Sequence, residues 1–575
     1  MKLTKISIFK FRSIEKAKIC VGRITAVVGE NNAGKSAILK ALDVFFHYEK
    51  DHFIRGIHDY TKNSQSTIEL TFSNIPDEVR GLMKVKDTLS LRLKCKPPEY
   101  EPTYEYKFEN KWEKCSNNTV EGLFKTINFV LIPPIRDPKE AEIEENTLLK
   151  KIVFEYLKRK TENRDNLSST VREATDLIQK SAFKHIENDL EKLYPLTHKF
   201  KFTIDYKNEV DYGLLIDNIA LRITEDSPIT SFQLKECGTG LQSLTIIALY
   251  LYYTKLIYRN AILGIEEPET NLHPQAQREF VRKLNDYAEK SDTQVIFTTH
   301  SSVVANELDH KSIVQARREN EERRGFKTVF NQVGPKASAS KHIGSEKYYT
   351  FYRRRNSEFF FSKSVIILEG EADVEAVRCI AKRNRIDLEQ SGIALITLNG
   401  VDSVLYPYYL LKELHIPFIL VTDKDFFLDY IESEKDSSRD SNGFYKYSKK
   451  SLNQTRLKTQ LKGIFKSEKE RAELLQHLKK GHSSLLKFLT QYSIVCMKYN
   501  LEMDLISTKS GKQAYCDVLG LNYNVDNKEI LTKYKSKIKS PEKVSAVFER
   551  LTNKKLPLSL MAIEKFMKTF IENGK

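Results

Sequence analysis

The chain has 575 residues, 93 Lys and Arg against 77 Asp and Glu, and a formal charge of +16. That length exceeds what one hydrophobic core serves, so two to four domains are expected, and the absence of any apolar run near the roughly 18–20 residues needed to cross a bilayer excludes a membrane-spanning helix. The positive excess favours polyanionic partners, because each phosphate neutralised by Lys or Arg releases condensed counterions, but it acquires meaning only beside a site for nucleic acid.

The first nine residues, Met1 to Phe9, alternate polar and apolar like a strand. They lack the apolar block and small-residue cleavage site of a signal peptide, which points to a cytoplasmic protein. Further strands are expected at 23–28, 67–72, 89–93 and 129–132, rich in β-branched and aromatic residues. From 140 to about 194 the period turns helical: Leu148, Leu149, Ile152, Phe154, Leu157, then Leu177, Ile178, Phe183, Ile186, Leu190 and Leu193. This reads as a helical insertion, either a hairpin that pairs with a partner helix or an ordinary packed pair. Strands return at 200–206 and 214–223, followed by a helix from about 240 to 258. The charged stretch 317–324 and the run Arg353-Arg354-Arg355 bracket an expected linker. From 364 onward the pattern is α/β, with strands at 365–368, 394–397 and 418–421. Residues 432–458 are polar and Lys-rich, as expected of a mobile loop. The expected division is 1–139 and 199–335 for a first α/β domain, 140–198 for the insertion, 336–362 for the linker and 363–575 for the last domain. Seven scattered cysteines with no C-x-x-C pair argue for reduced, mostly buried thiols.

Residues 29–36, Gly29-Glu30-Asn31-Asn32-Ala33-Gly34-Lys35-Ser36, fit G-x-x-x-x-G-K-[ST] between an apolar strand and an apolar helix. The glycines let backbone amides face phosphates, the helix N-terminus adds positive potential, Lys35 reaches the β- and γ-phosphates, and Ser36 holds Mg²⁺. Gly29, Asn31, Asn32, Gly34, Lys35 and Ser36 are therefore candidate nucleotide contacts. A second apolar strand ends in Glu266-Glu267, where Glu266 is a candidate metal support and Glu267 a candidate base for the attacking water. A third ends in Thr298-Thr299-His300-Ser301. A lone histidine is usually structural, but at this strand end His300 reads as a γ-phosphate sensor.

These residues resemble the ABC-type ATPases of DNA metabolism, the RecF and SMC-like group. Phe11-Arg12-Ser13 resembles that group's N-terminal strand motif, and Cys237-Gly238-Thr239-Gly240-Leu241-Gln242 resembles a degenerate signature loop. The resemblance implies that Gly238 and Gly240 complete the ATP pocket of a second copy. It also implies that the insertion, too short for an SMC coiled coil, is a compact dimerisation element.

In the last third, an apolar strand leads into Glu369-Gly370-Glu371-Ala372-Asp373, and another into Asp423-Lys424-Asp425. Carboxyl ends of parallel strands share one sheet edge, so these acids can converge, and their mutual repulsion calls for a hard cation such as Mg²⁺ or Mn²⁺. The pattern resembles a Toprim domain, with Glu369 and Asp373 in its first motif, Gly400 as its intervening glycine, and Asp423 and Asp425 as its D-x-D. An ABC-type ATPase followed by Toprim resembles the OLD (overcoming lysogenization defect) nucleases, which include the Gabija nuclease subunit and effectors of retron systems. That resemblance implies a further acidic motif, best matched by Glu502 and then Asp504, and a late basic residue at the scissile phosphate, best matched by Lys543 and then Lys539. Conspicuous nearby cations (Lys446, Lys449, Lys450, Arg456, Lys458, Lys533, Lys535, Lys537) either guide DNA or are simply solvated.

The expected function is thus an ATP-binding and ATP-hydrolysing, divalent-metal-dependent DNA endonuclease serving antiphage defence, with Glu267, His300, Glu369, Asp423 and Lys543 catalytic. It is expected to form a homodimer or higher oligomer through the ATPase and the insertion. Relatives act alone, beside a helicase, or with a reverse transcriptase and its DNA–RNA product. The competing reading is a non-cleaving, RecF-type clamp switched by ATP. A primase would bring a zinc ribbon that these cysteines cannot build, and a type IA topoisomerase would need a gate domain for which no room remains.

Overall fold

A computed structural model describes the chain except for residues 49–59, 61–63, 142–146, 160–176, 196–199, 207–218, 227–228, 259, 323–324, 335–356, 399–403, 433–434, 552–553 and 574–575. Gly400 and Arg353 to Arg355 fall outside the described residues. The chain forms two compact units, Met1–Gln332 and Val333–Lys575.

The first unit holds two six-stranded sheets and a smaller one of three strands. β1 (Lys2–Phe11), β2 (Ile14–Cys20), β4 (Ser66–Ser73), β5 (Thr88–Cys95), β6 (Pro102–Phe108) and β7 (Lys111–Lys114) make an antiparallel sheet. Its buried face includes Leu3, Ile6 and Ile8. The step from 3 to 6 breaks strict alternation because the register with β4 shifts between Leu3 and Lys5, where one extra residue resets the pleat.

The second sheet runs β15-β14-β3-β13-β12-β8. β3 (Ile24–Val28), β8 (Ile127–Ile132), β12 (Asn260–Glu266), β13 (Thr293–Thr299) and β14 (Ile313–Glu321) are parallel, and β15 (Gly325–Gln332) closes the edge antiparallel. β3 and β13 are buried along their whole length, which is why each carries an apolar run, Ala26 to Val28 in β3 and Val295 to Phe297 in β13. The parallel order puts the ends of β3, β12 and β13 on one edge. The charged stretch that precedes the expected linker begins inside β14, which holds Arg317 to Glu321. β14 pairs with β3 only over Ile313 to Gln315, and its charged remainder pairs with β15 alone, as a solvated hairpin permits.

α1 (Ser36–Phe46) packs its buried face against this sheet. In the insertion, α2 (Leu148–Arg159) and α3 (Lys184–Leu193) both pack on α4 (Thr239–Ile257). The described part of the insertion therefore spends its apolar face within its own unit. β9 (Phe200–Tyr206), β10 (Ile219–Asp226) and β11 (Ile229–Gln233) form the small sheet, and α5 (Pro274–Lys290) connects β12 to β13.

The second unit is built on a parallel sheet ordered β17-β16-β18-β19, formed by Ser364–Leu368 (β16), Ile393–Thr397 (β17), Phe418–Thr422 (β18) and Ile494–Cys496 (β19). Three residues carry no readable period, so β19 was beyond sequence patterning. α6 (Glu371–Arg383), α7 (Leu501–Ile506), α8 (Pro541–Arg550) and α9 (Leu558–Asn573) are among the helices of this unit. The described residues of the polar segment 432–458 are folded rather than a mobile loop: bridges join Tyr430 to Tyr447 and Arg439 to Tyr445, and the three tyrosines pack ring on ring. Its lysines masked an aromatic core. Among the described residues, no helix is long and apolar enough to cross a membrane, and all seven cysteines are free thiols.

Candidate functional site

In the first unit, the loop between β3 and α1 depends on its glycines. Gly34 has φ +88°, and a Cβ there would lie 2.2 Å from Thr328 Oγ1; at Gly29 it would lie 2.3 Å from the Ala316 carbonyl oxygen. Asn32 also adopts positive φ, while Asn31 is exposed on the loop. Lys35 is buried, and its ammonium donates to the carbonyls of Gly29 (3.1 Å) and Glu30 (2.9 Å). Burial lowers its pKa, against which Glu267, Glu269 and Glu30 act. The arrangement is a cation folded onto its own loop beside a helix start without acidic residues. An incoming polyphosphate would take over those contacts.

Ser36 hydrogen-bonds to Glu266, whose pKa is raised by burial. Glu266 Oε1 is buried with no hydrogen-bond partner. A carboxylate oxygen left in that state fits a cation ligand, and Ser36 and Glu266 together make an all-oxygen pair for it. Glu267 follows with φ +44°. His300 Nδ1 lies 3.9 Å from Glu267 and 3.3 Å from Glu269 Oε1. Glu269, passed over in the sequence as context, is the buried anchor here: it accepts from Thr299 Oγ1 at 2.7 Å and from the His300 amide at 2.9 Å. Glu267, Glu269, Asn271 and His300 line one cleft. Gly238 caps α4 in the open, and Gly240 sits where a Cβ would come within 2.7 Å of the Asn271 carbonyl oxygen. Arg136 was also missed, having no motif around it.

In the second unit, Glu369 follows β16 and accepts the Asp423 amide at 3.0 Å, tying the two strand ends together. Asp373 caps α6 by accepting the Gly370 amide at 3.1 Å. Withdrawal from water pushes Glu369 and Asp373 up to about 7, with repulsion from Asp425 on the first and from Glu369 and Glu502 on the second. Asp423 is raised well above the carboxylate range by burial and by Glu369, Asp373, Asp425 and Glu502. Glu502 is buried and raised, chiefly by the same loss of water. Five acids thus act on one another at one sheet edge. Among the described residues, no group of three or more His, Cys, Asp or Glu is arranged as a ready metal cage. The oxygen-only donor set and the repulsion among its acids fit a hard divalent cation.

Two late candidates have protein partners of their own. Asp504 is spent on structure: it accepts the amides of Lys498 (2.9 Å) and Tyr499 (2.8 Å) and the Ser559 hydroxyl (2.6 Å), leaving Glu502 as the acid that faces the others. Lys543 lies 3.8 Å from Glu542 on α8, whereas the charge that reaches Asp373 and Glu502 is that of Lys539. Asp425 accepts from Tyr430 at 2.7 Å and from Lys435 at 3.1 Å. Lys435, hidden in the polar segment, rests over the rings of Tyr430 and Tyr445. Arg456 also acts on Glu369. Lys533 and Lys535 are engaged with Glu529 and Asp436, as solvated pairs are.

Residues 1–305, more than half the chain, match the AAA ATPase domain family. Residues 360–425 match the TOPRIM domain of the overcoming lysogenization defect protein-like family. The chain belongs to the AAA ATPase domain family. An OLD nuclease of Thermus scotoductus is 24% identical over 449 residues, 74% of this chain and 82% of its own length. The endonuclease GajA of Bacillus cereus is 24% identical, covering 70% of each chain. The Old nuclease of Escherichia phage P2 is 22% identical over 76% of this chain and 79% of its own. As an ATPase domain joined to a TOPRIM domain, the chain is a nucleotide- and divalent-metal-binding protein.

Proposed function

We propose that this chain is an OLD-type nuclease, an ATP-hydrolysing, Mg²⁺- or Mn²⁺-dependent DNA endonuclease that serves antiphage defence. The observation that carries this reading is the meeting of Glu369, Asp373, Asp423 and Glu502 at the end of one parallel sheet, each with its pKa raised. A scaffold has no use for such repulsion, so the ATP-switched clamp is not favoured. Three relatives named as nucleases align over at least 70% of this chain.

Glu369, Asp373, Asp423 and Glu502 would hold the divalent ions, with Asp425 joining once Lys435 is displaced. Bound there, such ions supply an activated water and charge stabilisation at the leaving oxygen. The chain's own residues do the rest. Glu369 and the Asp423 amide keep two strand ends in register, and Lys539 offers an ammonium for the scissile phosphate. Arg456 and the exposed Lys449 and Lys450 favour a polyanion nearby.

In the first unit, Lys35 and the amides around Gly29, Asn31, Asn32 and Gly34 would hold the ATP phosphates, Ser36 and Glu266 the accompanying cation. Glu267 would orient the water, with His300 sensing the γ-phosphate. Gly238 and Gly240 would complete the pocket of a second copy, making a homodimer or larger assembly to which residues 140–198 contribute. The supercoiled-plasmid assay with Mg²⁺ or Mn²⁺ tests the nuclease: Glu369→Ala and Asp423→Ala should abolish nicking while ATP binding persists. Cleavage that survives both changes refutes the assignment.

A further inference from the structure

Arg136 lies just beyond β8, after Pro133 and Pro134, and β8 pairs with β12 up to Ile132 opposite Ile265. The guanidinium therefore arrives beside the turn that carries Glu266 and Glu267. Its Nη2 donates to the Glu266 carbonyl at 2.6 Å and the Glu267 carbonyl at 3.4 Å, while Nη1 donates to Ser243 Oγ at 2.6 Å. Ser243 is buried in the second turn of α4, the helix headed by Gly238 and Gly240. Burial lowers the guanidinium's pKa only to about 10, with Glu269, Glu267 and Glu266 supporting its charge, so it stays cationic at neutral pH.

Glu267 holds φ +44°. A non-glycine residue keeps such a conformation only when its surroundings impose it. The Arg136 fork reaches that backbone through Nη2, which donates to the carbonyls on both sides of it. The same fork is bonded to the helix whose N-terminal loop would meet a second copy's nucleotide. Lysine offers one point charge where arginine offers a planar fork, so bonding the turn through one nitrogen and Ser243 through the other requires arginine.

We infer that Arg136 is a positioning residue that couples the seating of the Gly238–Gly240 loop to the alignment of Glu267. The inference rests on the ATPase reading above. Arg136 touches neither substrate nor reacting atoms, and it acts through the backbone of the glutamate and through Ser243. A merely structural arginine would lower stability and nucleotide binding together. A positioning residue lowers turnover while nucleotide binding holds, because a misplacement of about 1 Å in a catalytic group costs about 100-fold in rate.

The test uses the full chain, phosphate release from ATP, and binding of a fluorescent ATP analogue. Arg136→Ala should lower kcat about 100-fold with KM and analogue affinity within about threefold, and Arg136→Lys should recover only part of the loss. Ser243→Ala, a small deletion, should lower kcat about 5-fold, and the double variant should be no worse than Arg136→Ala alone, since both remove one linkage. If Arg136→Ala fails to fold by circular dichroism, Ser243→Ala carries the test. An unchanged kcat in Ser243→Ala, or full activity in Arg136→Lys, overturns the inference. Lys35→Ala separates the two readings, because hydrolysis that survives it refutes the ATPase assignment rather than the coupling.

Discussion

The carboxylate cluster should make the metal-free protein less stable as pH rises. Glu369 and Asp373 hold their protons up to about 7, against ordinary values of 4.5 and 3.8. An acid whose folded pKa lies above its unfolded one contributes stability while it is protonated. That contribution is complete below the unfolded value and disappears as pH rises through the folded value. Between pH 5.5 and 7 the folded state keeps about one proton more than the unfolded chain if the two coupled acids share the effect. At 1.36 kcal/mol per pH unit per proton this amounts to about 2 kcal/mol. For a unit the size of Val333–Lys575, that corresponds to a fall in Tm of about 4–8 °C. Calorimetry in EDTA at pH 5.5, 6.5 and 7.5 reads it directly. Glu369→Gln removes one titrating acid and the charge that raises both Asp373 and Asp423, so its transition should vary less over the same range and exceed the wild type at pH 7.5. Millimolar Mn²⁺ should restore the wild type and leave Glu369→Gln unmoved. Parallel loss of Tm in both proteins, or a wild type that gains stability with pH, refutes the reasoning.

Glu267→Gln should bind ATP normally, hydrolyse it about 100-fold more slowly, and run as a dimer or larger assembly with ATP when measured by light scattering. Lys539→Ala should lower nicking at least about 10-fold, with Lys543→Ala within about threefold of wild type, in a plasmid time course. Lys435→Ala removes an ammonium 3.1 Å from Asp425, so isothermal titration should show Mn²⁺ bound about 2- to 10-fold more tightly, since a competing cation is gone.

The legible parts of this protein are those whose chemistry is contiguous. A phosphate loop, or an acid at the end of an apolar strand, is specified by neighbours along the chain: Lys35 and Ser36 after β3, Glu266 closing β12, Glu369 and Asp423 after β16 and β18. Burial on both sheet faces writes each such strand as an apolar run, and the acid marks its end. Strand order, and with it the sharing of one edge, follows from the handedness and shortness of α/β connections.

What folding alone decided are choices between neighbours and links between distant segments. Glu502 and Asp504 are two residues apart on a helix, so their side chains diverge by about 200°. One faces the acids, and the other satisfies two loop amides and the Ser559 hydroxyl. Lys539 and Lys543 lie on either side of the start of α8, so the helix sends them to different surroundings. Arg136 with Ser243, and Glu269 with His300, lie 107 and 31 residues apart. No local period records such pairings, because hydrogen bonds between distant segments exist only once the chain has closed the loops between them.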